Sequence, residues 1–402
     1  MSSRMDTIWS KLDRKATAIA EFTMRQYRTR LSTWVVMGSA VVAIFLMLLF
    51  YIDAMYTDID PIDNDGDGLF DEDDFDWDNL AAKDMSVGED DDGDCKSKDT
   101  ASQRDGNDNG IECDVSLDWN SADKSFTIVG DGNVDEDPDD NAYLKEAGHR
   151  AFVLGIGKFG IVYLLGIFLP LFLATGLIRE EMSSGTMHYM LAKPIARGEV
   201  LLYRMIGYLG IVWPYIMGLC FLLCLITGFI GPGDGFFRWA DIGVWMSIAW
   251  ASMMVSLVYG TIFCGFGILW KNGVVLALLF AVWELGMAFV ALLSGGDSPI
   301  KFFSVIGWGL MIVDAATAIC WPDNWALIEM GLWGGGHGDS NWIGDVVFTA
   351  LPGAIPLALF SSNTGLDMPE WLALVTATFV LIFQAGMAWF IGQALFKGKE
   401  VE

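Results

Sequence analysis

Residues 179–204 read REEMSSGTMHYMLAKPIARGEVLLYR, from Arg179 to Arg204, a polar interruption between two long apolar runs. Its flanks are too apolar to be anything but membrane spans, so the stretch is a short loop at a bilayer surface. Arg179, Lys193, Arg197 and Arg204 outnumber Glu180, Glu181 and Glu199, the balance expected on the cytoplasmic side. Ser183, Ser184 and Gly185 break a helix, and Pro194 stops one running through Lys193, because it lacks an N–H and restricts the residue before it. The spacing predicts a short helix along the membrane, a corner, and a re-entering helix starting near Arg197. Such an elbow can carry force from a soluble partner into the membrane. On the residues alone, an ordinary inter-helix loop with positive-inside charge has the same features.

The stretch also carries a spaced pattern: Glu181, Gly185-Thr186, Leu191, Pro194 and Arg197, with Arg204 seven residues further on. This resembles the cytoplasmic coupling segment of type-2 ABC-transporter permeases, the membrane subunits of ABC exporters. Residues 270–282, WKNGVVLALLFAV, are similar to that family's fourth-to-fifth helix junction. The resemblance covers residues 5–52 and 151–396. It implies that Glu181, Gly185, Thr186, Pro194, Arg197 and Arg204 couple the chain to a separate ABC ATPase. It also implies a homodimer or heterodimer of permeases, with ATP entering only through the partner and no catalysis in this chain. ATPase closure would then push on the Glu181–Arg204 elbow and on the N-terminal surface helix.

Composition agrees with a polytopic membrane protein: 402 residues, 53% hydrophobic, mean hydropathy +0.41. The net charge of −27 is local. Residues 53–150 hold 32 of the 51 acidic and 7 of the 24 basic residues, a net of −25. An insertion so acidic excludes nucleic acid as a partner and favours cations.

The expected fold is all-α, with six transmembrane helices (eight if two further apolar runs also span) and an acidic, loop-rich extracellular insertion. Residues 1–32 form a cytoplasmic amphipathic helix, with Met5, Ile8, Trp9, Leu12, Ala16, Ile19 and Phe22 at helical spacing. Residues 33–52 are the first span. Arg4, Lys11, Arg14, Lys15, Arg25, Arg28 and Arg30 precede it and place the N-terminus in the cytoplasm. Residues 53–150 are the insertion, and 151–402 the permease core. In the core, spans are expected at 152–178, 205–230, 242–269, 273–293 and 371–395. The region 294–370 is expected to be outside, re-entrant or lying on the surface, its apolar runs interrupted by Gly, Pro and Asp314. Both termini are then cytoplasmic in a multi-pass cell-membrane protein whose solvent is lipid. Trp34, Trp239, Trp270 and Trp371 fall near span ends as interface anchors.

Within the insertion, Asp63, Asp65, Asp67, Asp71 and Asp74 occupy positions 1, 3, 5, 9 and 12 of an EF-hand-like calcium loop, with Gly68 at the sharp turn. Alternating carboxylates let a short coil wrap one hard cation. Asp74 stands where an EF-hand has Glu, so the loop is more similar to thrombospondin type 3 repeats. Asp105, Asn107 and Asn109 begin a weaker copy that resembles the calcium motif of excalibur-type domains. The alternative is a solvated acidic loop without metal, which self-repulsion keeps unfolded. Cys95 and Cys113 are placed to form a disulfide outside, worth roughly 3 kcal/mol. Cys220, Cys224, Cys264 and Cys320 lie in apolar runs as packing thiols.

Two ionisable residues fall inside spans, Lys158 and Glu284, at about 10 and 14 Å below the outer edge at 1.5 Å per residue. Charges there are costly and face the bundle or a cavity, so the two are expected to pair. The family resemblance places them on the translocation path. A structural lock, or a snorkelling Lys158, is the plainer reading. Leu293-Ser-Gly-Gly-Asp297 imitates an ATPase signature, but no phosphate-loop motif occurs anywhere in the chain. His149, His188 and His337 are isolated, with no ligand spacing and no nucleophile nearby in sequence. The competing function is a membrane-anchored, calcium-dependent adhesion or sensor protein without transport.

Overall fold

The computed structural model describes residues 14–57, 86–87, 115–120, 125–129, 140–183, 196–233, 235–270, 272–293, 302–321 and 368–398. An amphipathic helix α1 (Arg14–Thr29) leads into α2 (Leu31–Tyr56), an unbroken apolar rod. At 26 residues, α2 is about 39 Å long, ample for a bilayer. The next rod is composite. It comprises α3 (Asp140–Leu154), a π-helical segment (Gly155–Leu165), α4 (Gly166–Leu173) and α5 (Gly176–Ser183). Pro170 withholds an N–H inside α4, and the rod breaks four residues later at Ala174–Thr175. Then come α6 (Arg197–Ile230), α7 (Ala240–Leu269), α8 (Gly273–Leu293), α9 (Val305–Cys320) and α10 (Glu370–Gly398). Among the described residues, five helices are long and apolar enough to cross a membrane. The membrane part is all helical, as expected, and α6 begins at the predicted Arg197.

Inside the insertion, three short strands form an antiparallel sheet, β1 (Ser86–Val87), β2 (Val115–Asn120) and β3 (Ser125–Val129), in the order β1-β2-β3. Leu117 stands opposite Ile128 and Trp119 opposite Phe126. This sheet is absent from the sequence expectation.

The centre of the bundle is α7, packed by α6, α8, α9, α10 and the composite rod. Its small residues make that possible: Ser247, Ala249, Ala251, Ser252 and Ser256 are all buried and let neighbouring backbones approach. Backbones approach closely at Gly267 of α7, where a Cβ would lie 2.3 Å from the Thr175 carbonyl oxygen. Ser252 Oγ donates 3.1 Å to the Ile161 carbonyl, so α7 holds the π-helical segment by its backbone. Trp34 and Trp270 are exposed at one end of the bundle, and Trp239 and Trp371 at the other, making two aromatic belts.

Helix α9 sits in the bundle against α7 and α10, which removes the surface-lying alternative for Phe302–Trp321. Its N-terminus meets Glu284 part-way along α8, and Trp321 after its last turn lies 6.5 Å from the His149 ring. It is a helix of 16 residues, about 24 Å long, with its N-terminal residues Ser304, Val305 and Ile306 buried.

Candidate functional site

At the end of the bundle that carries α1, the chain ties three segments together. α1 lies on α6, because Gly207 leaves room: a Cβ there would be 2.8 Å from the Ala20 carbonyl. This brings Gln26 and Phe22 over the foot of α6. Arg204 pairs with Glu181 of α5 at 2.9 Å, with both side chains nearly buried. Gln26 closes the triangle, its Nε2 donating to Glu181 Oε1 at 3.3 Å and its Oε1 accepting from Arg204 Nη1 at 3.0 Å. The guanidinium also lies 5.3 Å from the Phe22 ring. One residue along, the Tyr27 hydroxyl donates 2.6 Å to the Leu173 carbonyl, next to the break between α4 and α5. Burial pushes the Tyr27 hydroxyl pKa up, so it remains a neutral donor.

Two of the residues expected in the coupling segment, Glu181 and Arg204, therefore meet. Arg197 goes elsewhere: its Nη1 donates to the carbonyls of Phe396 (3.1 Å) and Lys397 (3.4 Å), closing the last turn of α10. Gly185, Thr186 and Pro194 lie outside the described residues. So do all the expected metal ligands, Asp63, Asp65, Asp67, Asp71, Asp74, Asp105, Asn107 and Asn109, and the cysteine pair Cys95 and Cys113.

The expected Lys158–Glu284 pair is not formed. Lys158, buried on the π-helical segment, pairs with Asp314 of α9. Glu284 instead accepts from the Ser304 hydroxyl at 2.5 Å and from the Val305 N–H at 3.3 Å. The physical reason is the N-terminus of α9. Its first N–H groups lack intrahelical partners and are buried, so Ser304 caps Gly307 N at 3.1 Å and the carboxylate from α8 accepts from Val305 N. Asp314 had registered in the sequence only as an interruption of an apolar run. Seated in the bundle, it is the counter-ion that Lys158 requires.

Residues 17–301, most of the chain, match a family model described as ABC-2 family transporter protein. The chain belongs to the ABC-2 transporter family. It is thus a multi-pass membrane component of an ABC transporter, a transport subunit and not a catalytic one. The matched region of this ABC-2 protein runs from α1 through the Glu181–Arg204 joint to the end of α8, and it includes Lys158 and Glu284, whereas their partners Asp314 and Ser304 lie beyond it. No curated protein and no solved structure matches the chain.

At the opposite end, where the insertion leaves and rejoins the ABC-2 bundle, a second polar assembly appears that sequence reading missed. His149, taken as isolated, is fully buried, with Nδ1 2.7 Å from the Tyr51 hydroxyl and Nε2 2.9 Å from Asp241 Oδ2. Arg238 reaches Asp241 at 3.2 Å and forks onto both oxygens of Glu146 at 2.7 Å. Arg150 holds Glu146 from below at 2.7 Å, its guanidinium 5.2 Å from the Trp321 ring. Burial alone would raise the Glu146 pKa, but Arg150 and Arg238 hold its carboxyl down at about 2. Likewise burial opposes the Arg238 charge, and Glu146 and Asp241 more than restore it. Glu146–Arg150, four residues apart on α3, and Arg238–Asp241, three apart, could have been found from spacing. The other partners lie up to 98 residues apart. Of the four membrane cysteines, Cys220, Cys224 and Cys264 are buried free thiols and Cys320 is half-buried.

Proposed function

We propose that this chain is the permease of an ATP-driven exporter whose ATPase is a separate subunit gripping residues 179–204 and α1. One observation carries the reading: the Glu181–Arg204–Gln26 joint fastens the surface helix, the end of the composite rod and the foot of α6 into a single piece. A push delivered there passes along two routes. One is α6 itself, and the other is the Ala174–Thr175 break, which Tyr27 holds through Leu173. Beyond the break lie the π-helical segment and Lys158. In this reading the coupling end faces the cytoplasm, two permeases pair in lipid, and Lys158, Asp314 and Glu284 border the path that opens. π-Helical turns occur disproportionately at functional sites, which favours the placement of Lys158.

The test is a mild-detergent pull-down of the tagged chain, with mass spectrometry and ATP hydrolysis measured on the eluate. A nucleotide-binding chain is expected with the native protein and lost with Glu181→Ala. If intact membranes yield none, the exporter reading fails, and the adhesion or sensor alternative takes its place.

We also propose calcium as a ligand of the Asp63–Asp74 loop, supported by the completeness of its carboxylate spacing. Chelation should then speed protease cleavage within the insertion. Unchanged cleavage patterns would dismiss the metal.

A further inference from the structure

The assembly of Tyr51, Glu146, His149, Arg150, Arg238 and Asp241 joins segments that would have to separate if a path opened at the insertion end. Tyr51 belongs to the end of α2. Glu146, His149 and Arg150 belong to α3. Arg238 belongs to the turn between α6 and α7 and Asp241 to the first turn of α7, and Arg150 adds α9 through Trp321. Deeper in the bundle these elements seal with apolar side chains such as Ile161, Val162, Ile248 and Val255, all with zero exposure. Parting an apolar seam exposes hydrocarbon to water, a cost that grows with the area exposed. A polar seam behaves differently, since water replaces each partner lost on opening.

Three features make this seam suited to opening as a unit. Its formal charges balance, two carboxylates against two guanidinium groups, so neither state carries an unmatched charge. The groups share partners, with Glu146 held by two arginines and Asp241 by Arg238 and His149, so a half-open network would strand buried charge. Finally, Asp241 Oδ1 is buried with no hydrogen-bond partner among the described residues, an unmet acceptor that water satisfies only on opening.

We propose that this network is a latch that shuts the insertion end of the transport path and releases once per cycle, its residues acting as positioning groups for transport. The inference rests on the exporter reading. Cys320 is a native reporter. It is half-buried, its Sγ lies 2.3 Å from where a Cβ on Gly243 of α7 would sit, and its neighbour Trp321 stacks with Arg150.

The experiment labels the full chain, in complex with its ATPase, with a membrane-impermeant maleimide, and reads modification of the Cys320 peptide by mass spectrometry. The complex is held nucleotide-free, turning over ATP, or trapped with vanadate. A latch gives slow labelling without nucleotide and a rise of about tenfold or more in one nucleotide state, since a minor open state holds 10% or less of the population at rest. Glu146→Gln should give fast labelling in every state. A static brace gives slow labelling of the native chain in all three states, which overturns the proposal without touching the exporter reading. The native chain alone decides this, so a Glu146→Gln chain that failed to fold would not weaken the test. Failure to capture any ATPase chain is the separate result that removes both.

Discussion

Arg204 meets Glu181 at 2.9 Å across the gap between α6 and α5, with 1% and 9% of the two side chains exposed. Removing one member of a buried pair strands the other, typically at about 3–5 kcal/mol. Glu181→Ala should therefore lower the thermal midpoint in detergent markedly, and Arg204→Ala similarly. Their double variant should lose much less than the sum of the two. Full additivity would show that the pair does not interact.

The Lys158–Asp314 pair makes a sharper case because it lies at membrane depth. Lys158→Met alone and Asp314→Leu alone should each reduce yield and stability, again by about 3–5 kcal/mol. Combined, they replace the pair with apolar volume and should restore stability to near the native value. If transport is assayed, the double variant is expected to fold yet transport poorly, which separates a path residue from a lock.

Ser304, itself buried, caps the N-terminus of α9. Ser304→Ala should cost about 1–2 kcal/mol and leave the Glu284 carboxylate short of one donor. Amide hydrogen exchange at Val305–Gly309 is the direct readout, and faster exchange confined to that turn is expected. Ser304→Thr should retain protection.

Glu146 gives the insertion end a pH dependence whose sign follows from its depressed carboxyl, near 2 against an ordinary 4.5. A carboxylate with a lowered folded pKa stabilises fully above its unfolded value and loses that contribution as pH falls through the folded one. Protection from hydrogen exchange across Asp140–Leu154 should therefore be constant from neutral pH down to about 4.5, once the intrinsic exchange rate is divided out, and weaken progressively toward about 2. Glu146→Gln should flatten that profile.

Much of this fold is legible because lipid demands it. A run such as Leu31–Tyr56 has one stable form in a bilayer, an α-helix, so its place and length follow from apolarity alone. Arg197 as the start of α6 is legible from Pro194 and the polar stretch before it. The pairing of Lys158 was misjudged because depth along separate helices says nothing about which faces meet. The packed helix α9 also supplies an acid for Lys158 in Asp314 and a prior claim on Glu284. His149 was opaque for a related reason. Its partners Tyr51 and Asp241 lie 98 and 92 residues away, and no local spacing marks a contact made by packing. Gln26 and Phe22 carry no charge signal, and they join the Arg204 site because Gly207 lets α1 settle on α6.

The contact of Arg197 with the carbonyls of Phe396 and Lys397 binds the first residue of α6 to the last turn of α10. The two helices are thereby tied at one end, and α10 packs along both α7 and α9. If the exporter reading holds, a twist at the foot of α6 would act on α10 as on a crank, and through it on the helix that carries Asp314.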